Sequence, residues 1–195
     1  GGFPRQPSRY YNQRAPLRTL MQALSPASSL LQPPVSLLEK TPAILETLLR
    51  DVSVEILDWK PAAERWSITE VLAHLLTIEQ LYGERAKRIV VDQNPALVKF
   101  EAPDESKIPK KTARQYLEEF VALRRAHYFF WHGIPSSAGS RTAVHPEMGS
   151  ITLLQLLNEL ANHDLGHLRQ IAELYRAKAF HPQAGPFQRY SNPKP

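Results

Sequence analysis

The stretch TLLQLLNELANHDLGHLRQIAELYRAK, residues 152–178, decides the fold. Its apolar residues recur at helical spacing and fall on one face, which predicts an amphipathic helix; they are Leu153, Leu156, Leu160, Ile171 and Leu174. Thr152 and Gln155 form a capping-box pattern that starts such a helix. The helix needs partners to cover its apolar face, and the rest of the chain supplies further helical patterns.

Two histidines of this stretch, His163 and His167, are four residues apart and lie on the same face of the predicted helix. That face is the apolar one, so both imidazoles are expected to point at the core. A buried imidazole needs a partner for each ring nitrogen. A metal ion shared by the two side chains would provide one.

Three more amphipathic patterns precede the stretch, and they are predicted to be helices. They cover about Ser36–Leu57, Ser67–Asp92 and Thr112–Gly133. The second and third begin with capping boxes, Ser67 with Glu70 and Thr112 with Gln115. Four helices joined by long loops predict an all-α four-helix bundle, in which long loops allow crossovers or a cap over one end of the core. Residues 141–145 could form a short strand.

Composition divides the 195-residue chain into three parts: a basic, Pro- and Gln-rich extension at 1–34, a helical domain at 35–180 and a Pro-rich tail at 181–195. The net charge is +5, but residues 1–38 carry four arginines and no acidic residue, so the remainder has about +1 (20 basic minus 19 acidic). A nearly neutral body disfavours nucleic acid as a partner. No apolar run approaches the roughly 20 residues that span a bilayer.

The chain has no cysteine, which excludes disulfides and thiolate ligands and leaves His, Asp and Glu to bind a metal. The lack of disulfides is consistent with a cytoplasmic protein. His74 lies in the apolar stripe of the second predicted helix, between Val71 and Ile78. Facing positions of a bundle come within ligand reach of each other. We therefore expect His74, His163 and His167 to form one site; the alternative is three core histidines bonded to backbone or carboxylates.

Three imidazoles suit a divalent transition metal, with Zn, Ni or Fe as the main candidates, and leave a fourth position open for water or substrate. Glu159 and Gln170 lie about one turn from the histidines and could orient a ligand imidazole. His145 precedes the last helix and could act as a catalytic proton shuttle or substrate contact, or simply stabilise a turn.

Two carboxylates and three further histidines receive less specific predictions. Asp164 points away from His163 and is expected to make a surface or inter-helix hydrogen bond. Glu79 is expected to be solvated or to lie behind a metal ligand. His127, His132 and His181 are predicted to be surface or packing residues.

Two motifs, WSITEVLAHL at 66–75 and HDLGHLRQI at 163–171, together with the loop from Arg141 to Pro146, resemble those of the DinB-like superfamily of metalloenzymes. The resemblance covers about residues 36–180. It implies an up-down-down-up bundle that holds a metal through His74, His163 and His167. It also implies frequent homodimers, and activities that include thiol S-transfer with a low-molecular-weight thiol.

The sequence thus favours a metal-dependent enzyme, either a hydrolase or a thiol S-transferase, that acts on a small-molecule substrate. The metal would activate water or a thiol. Two alternatives remain: a helical module that binds a metal or ligand without turnover, and a structural bundle whose basic tail binds an acidic partner.

Overall fold

The computed structural model describes residues 31–101 and 110–195. Five helices and two strands follow one another in the chain: α1 Pro34–Leu49, α2 Val54–Leu57, α3 Ile68–Val91, α4 Ala113–His132, β1 Thr142–His145, β2 Gly149–Thr152 and α5 Leu153–Tyr175. A 3₁₀ turn at Ser136–Ser140 precedes β1. A π-helical turn at Arg176–Phe180 and two 3₁₀ turns, His181–Gln183 and Gly185–Tyr190, follow α5.

The three predicted capping boxes start three of the long helices. At α3 the Ser67 hydroxyl accepts from the Glu70 amide, while the Glu70 carboxylate accepts from the Ser67 amide at 2.8 Å. Thr112 with Gln115 and Thr152 with Gln155 make the same reciprocal pairs at α4 and α5. Each cap contributes about 1 kcal/mol because it satisfies amides that the helix leaves without partners.

The first predicted helix, Ser36–Leu57, is wrong as a single element. It begins earlier, at Pro34, and ends at Leu49, and a separate turn of helix, α2, follows. Ser53, which precedes α2, has an extended backbone (φ −70°, ψ 153°) that a continuous helix cannot contain. Pro42 lies inside α1.

The core consists of two apolar clusters, one at each end of the bundle. The hairpin-end cluster comprises Leu31, Val35, Leu38, Ile78, Ala86, Ile89, Leu97, Trp131, Ile134, Ala138, Ala143, Leu153, Leu156, Leu157, Leu160 and Ala161. The far-end cluster comprises Leu45, Leu49, Ile68, Val71, Leu72, Leu75, Leu76, Ala113, Phe120, Ile171 and Leu174. Each large apolar side chain buried in this way contributes about 1.5–3 kcal/mol.

The clusters fix the direction of every long helix. The hairpin-end cluster contains the beginnings of α1 and α5 and the ends of α3 and α4, and the far-end cluster contains the opposite ends. α1 and α5 therefore run one way and α3 and α4 the other, which is the up-down-down-up arrangement. The principal contacts join α1 and α3 each to α4 and α5. The predicted four-helix bundle is confirmed.

The two long connections have different roles. α3 and α4 run in parallel, so the connection between them must cross the length of the bundle. The connection between α4 and α5 stays at one end, where β1 and β2 pair in an antiparallel hairpin from Thr142↔Thr152 to His145↔Gly149. Gly149 has φ +72° in this turn, a backbone conformation that favours glycine. The hairpin covers the end of the core.

The predicted extension at 1–34 lies outside the described residues except for positions 31–34, where Leu31 is buried in the hairpin-end cluster. The division of the chain into extension, domain and tail stays a prediction. None of the described helices has the length and apolarity that crossing a membrane requires.

Candidate metal centre

Three histidines from two helices lie together in the wall of the bundle. His74 is in the second turn of α3, and His163 and His167 are one turn apart on α5. All three side chains are half-buried, and one ligating nitrogen of each lies within 4.8 Å of the others. Within residues 31–101 and 110–195, this is the group of His, Asp and Glu side chains with the geometry to hold a metal ion.

The three Nε2 atoms converge. Nε2 of His163 lies 2.9 Å from Nε2 of His74 and 3.1 Å from Nε2 of His167. A single N–H on His163 can donate to one of these neighbours, so the three nitrogens cannot all be satisfied by one another. Nδ1 of His163 is buried without a hydrogen-bond partner in the described part of the chain.

The electrostatics keep at least two of the imidazoles neutral near pH 7. Burial, with the nearby charge of His167 second, lowers the pKa of His74 to about 4. Burial also lowers the pKa of His163 to about 4, assisted by His167, His74 and Arg124. A neutral imidazole presents the free lone pair that a metal ligand needs.

The donor set fits a transition metal. Bonds of about 2.0–2.1 Å from a tetrahedral ion to three imidazoles would place their nitrogens about 3.3 Å apart. The observed separations of 2.9 and 3.1 Å are close to this value. A cation at the centre would give all three lone pairs a partner, which the imidazoles cannot give each other.

Gln170 and Glu159, both predicted to orient an imidazole, have different positions. Nδ1–H of His167 donates to Oε1 of Gln170 at 2.9 Å, which leaves Nε2 of that ring free. Glu159 is exposed, and no hydrogen bond among the described residues joins it to His163. Its charge instead contributes to the raised pKa of Tyr82, after the larger effect of burial.

His145, the predicted catalytic residue, lies at the turn of the hairpin. Its Nδ1 accepts hydrogen bonds from the amides of Glu147 and Met148 at 3.2 and 3.3 Å, which is the turn-stabilising alternative. The ten residues from Leu153, where α5 begins, to His163 cover about 15 Å of helix. The structure does not bring His145 to the three histidines, and its catalytic role stays a prediction.

Trp66 is a residue of the site that the sequence analysis did not single out. Its ring centroid lies 4.9 Å from that of His74 and 6.1 Å from that of His167, nearly parallel to the latter. The side chain is 40% exposed, so it forms a wall between the imidazoles and solvent. Its position directly before the Ser67 cap, on the helix that carries His74, was the available signal.

The sequence analysis did not predict a buried ion-pair network that lies behind the site. Arg124 of α4 donates to Oδ2 of Asp164 at 2.7 Å and Oδ1 at 3.2 Å, to Oε2 of Glu79 at 2.8 Å and to the carbonyl of Leu38 at 3.1 Å. His127 Nδ1 donates to the other oxygen of Glu79 at 2.7 Å. One guanidinium thus joins all four long helices, and it holds the residue directly after His163.

The positions of these residues test three predictions, those for Asp164, Glu79 and His127. Asp164 makes an inter-helix bond and is 1% exposed, so that alternative is confirmed and the surface position is wrong. Glu79 is fully buried, so a solvated position is wrong. Burial alone would raise the pKa of Glu79, but hydrogen bonds from His127 and Arg124 and the charge of Arg124 outweigh it and keep the pKa below its usual range. His127 is a buried core residue.

Comparison with known proteins agrees with this architecture. The solved structure of YfiT from Bacillus subtilis superposes with a TM-score of 0.67 at 21% identity, over 79% of this chain and 90% of that one. It is described as a probable metal-dependent hydrolase with an unusual four-helix bundle topology. The likeness shows that the fold is shared.

Two relatives are similar in sequence. The uncharacterized protein YuaE of Bacillus subtilis is 26% identical over 141 residues, 65% of this chain and 87% of that protein. A protein of Oceanobacillus iheyensis named "Putative metal-dependent hydrolase OB0782" is 23% identical over 146 residues, 72% of this chain and 83% of that protein. The family model of the DinB superfamily matches residues 37–171, and the chain belongs to that superfamily.

Proposed function

We propose that this protein is a metal-dependent hydrolase in which His74, His163 and His167 hold one divalent transition metal through their Nε2 atoms. The observation that carries the proposal is the convergence of the three Nε2 atoms: that of His163 lies 2.9 Å from His74 and 3.1 Å from His167. One N–H on His163 cannot serve both neighbouring nitrogens, so the imidazoles do not satisfy one another. Three protein ligands leave a position for water, the arrangement of catalytic rather than structural sites. A metal there would lower the pKa of that water and polarise the bond to be cleaved.

The chain's own residues prepare the site for this chemistry. Gln170 accepts the Nδ1 proton of His167, which fixes that ring with Nε2 toward the other imidazoles. Trp66 shields one side of the imidazoles from solvent. Arg124 anchors Asp164 to the core and thereby holds α5, with His163, against α4. The ligands are therefore in place before a metal arrives.

The names of the relatives support hydrolysis over other uses of such a site. YfiT and the Oceanobacillus protein are both described as metal-dependent hydrolases, with the qualifications their names carry. Transfer of a low-molecular-weight thiol and metal binding without turnover are the competing outcomes of the activity test below.

Metal analysis of the purified protein tests the ligand set. We expect one equivalent of metal per chain after reconstitution with Zn²⁺, and loss of it in His74→Ala, His163→Ala and His167→Ala. His132→Ala is the matched control, because His132 is exposed on α4 and contacts a tyrosine ring. Metal retained by the His163 and His167 variants would refute the ligand assignment.

Turnover separates the three functions. The Zn²⁺-loaded protein is incubated with activated esters and amides, with and without added thiols. Hydrolysis without thiol that is abolished in His163→Ala and unchanged in His132→Ala supports the hydrolase. Product that forms only with thiol identifies a transferase, and stoichiometric metal with no turnover identifies a binding module.

A further inference from the structure

We propose that Arg85 of α3 forms, together with Tyr82, a binding site for a small oxyanion, a carboxylate or phosphate group, at the hairpin end of the bundle. The observation that carries the inference is a buried guanidinium for which the described residues supply no carboxylate partner. The site is separate from the proposed metal centre, because eleven residues of helix, about 16 Å, lie between His74 and Arg85.

Arg124 shows what a buried arginine receives elsewhere in this fold. Its guanidinium makes ion pairs with Glu79 and Asp164. Burial lowers the pKa of Arg124, but the charges of these two carboxylates outweigh that effect and raise it. Arginine is rarely buried without such partners, because a charge removed from water is costly unless it is compensated.

Arg85 is buried without this compensation. Its side chain is 6% exposed, and its described hydrogen bond runs from Nη2 to the backbone carbonyl of Val98 at 3.0 Å. Burial lowers the pKa of Arg85, and Tyr82 and Glu147 offset only part of that effect. The contrast with Arg124 therefore indicates that a counter-anion is missing at Arg85.

Two nitrogens of the Arg85 guanidinium have protons to donate. Nε is buried and has no hydrogen-bond partner in the described part of the chain. Nη1 also makes no hydrogen bond to a described residue, but it is not fully buried, so solvent reaches it. The bond from Nη2 to Val98 meanwhile holds the planar group in one orientation. A guanidinium fixed in this way is suited to carboxylate and phosphate oxygens.

Tyr82, about one turn before Arg85 on α3, provides a neighbouring donor. The guanidinium carbon lies 5.8 Å from the centroid of its ring. Burial, followed by the charge of Glu159, raises the pKa of Tyr82, so the hydroxyl is protonated at neutral pH. This hydroxyl makes no hydrogen bond to a described residue. An oxyanion at Arg85 would therefore gain a second hydrogen bond from Tyr82.

Glu147 is the internal competitor for this site. It is exposed in the turn of the hairpin, and its charge acts on Arg85 although no ion pair joins the two side chains. Its carboxylate should weaken the binding of an external anion through Coulomb repulsion. Removing the Glu147 charge should therefore tighten binding, whereas removing a donor of the site should weaken it.

Nuclear magnetic resonance titration of the metal-free, full-length chain tests the site, with the Nε–H signal of Arg85 as the readout. Inorganic phosphate and acetate are the probes, and chloride at equal ionic strength is the control for salt. We expect a saturable shift of this signal with at least one oxyanion and none with chloride. Binding of phosphate alone identifies a phosphate group as the ligand, and binding of acetate alone identifies a carboxylate.

Four variants assign the binding to these residues. Tyr82→Phe keeps the ring, removes the hydroxyl and should weaken binding about fivefold. Glu147→Gln should tighten it. Arg88→Gln is the matched control, because Arg88 is an exposed arginine of α3 beside Asp92, and it should change the affinity less than about twofold. Arg85→Gln should lose the rise in Tm that the oxyanion gives the unchanged protein.

An Arg85 signal indifferent to both oxyanions, or equal losses of affinity in Tyr82→Phe and Arg88→Gln, would overturn the site. So would a Glu147→Gln variant that loses stability without gaining affinity, because Glu147 would then be the partner of Arg85. If Arg85→Gln does not fold, Tyr82→Phe still decides the outcome. None of these measurements uses the metal, so their failure leaves the proposed hydrolase intact, and a chain that binds no metal leaves the test unchanged.

Discussion

Replacement of Arg124 by methionine should strongly destabilise the fold, because Arg124 is buried and bonded to three other helices. Methionine fills most of the volume but removes five short contacts, two to Glu79, two to Asp164 and one to the carbonyl of Leu38. Glu79 keeps its bond from His127, whereas Asp164 loses its cation while remaining buried. Breaking a buried ion pair from one side costs about 3–5 kcal/mol.

That cost is a large part of the total free energy of unfolding. Domains of this size have an unfolding free energy of about 5–15 kcal/mol, and each kcal/mol shifts the midpoint by about 2–4 °C. We therefore expect Arg124→Met to lower Tm by roughly 6–20 °C. Urea denaturation followed by circular dichroism measures the change in unfolding free energy, and thermal denaturation measures the change in Tm. A chelator is present in both experiments so that metal binding does not contribute.

Arg125→Met is the matched control, since Arg125 is the exposed neighbour on the same helix and should change stability by less than about 0.5 kcal/mol. A second variant tests the cause. Adding Asp164→Asn to Arg124→Met removes the unpaired charge and should restore part of the loss. A cost below about 1 kcal/mol, or no recovery in the double variant, would refute the reasoning.

Three further outcomes follow from the same contacts. The pKa of Glu79 is lower in the folded protein than in the unfolded chain, so ionised Glu79 stabilises the fold above the unfolded pKa of about 4.3. This stabilisation is lost as pH falls through the folded pKa. Glu79→Gln should therefore make the unfolding free energy less dependent on pH below about pH 4. Gly83→Ala should lower the unfolding free energy by about 1–3 kcal/mol, because its Cβ would lie 1.9 Å from Cε1 of His127. Gly166→Ala, which has open space around it, should raise the unfolding free energy by up to about 1 kcal/mol. Similar denaturation midpoints for the two variants would contradict this contrast. Gln170→Ala should weaken Zn²⁺ affinity about 10–100-fold in competition with a chromophoric chelator, and an unchanged affinity would show that the bond to the α5 imidazole is dispensable.

What the sequence predicts well is local. The capping boxes at Ser67, Thr112 and Thr152 are patterns of two residues three apart, and each one starts the helix that it predicts. Helical periodicity also places His163 and His167 on one face. Their proximity to His74 follows once two apolar stripes must face each other across a core.

What the sequence predicts poorly depends on tertiary position. Arg124 and Arg125 are adjacent and chemically identical in the chain, yet only the first points inward and is buried. Trp66 directly precedes the Ser67 cap, and this local position does not by itself reveal the contact of its ring with the imidazoles. The second strand of the hairpin, Gly149–Thr152, is too short to predict without the partner with which it pairs.

The position of Asp164 between the two α5 histidines has a consequence for the metal-binding role that we propose. The bond from Arg124 to Asp164 anchors this turn of α5 to the core without any ion. Under that proposal, removal of the metal would leave the backbone around the three histidines folded, and a second ion could be loaded into the same frame.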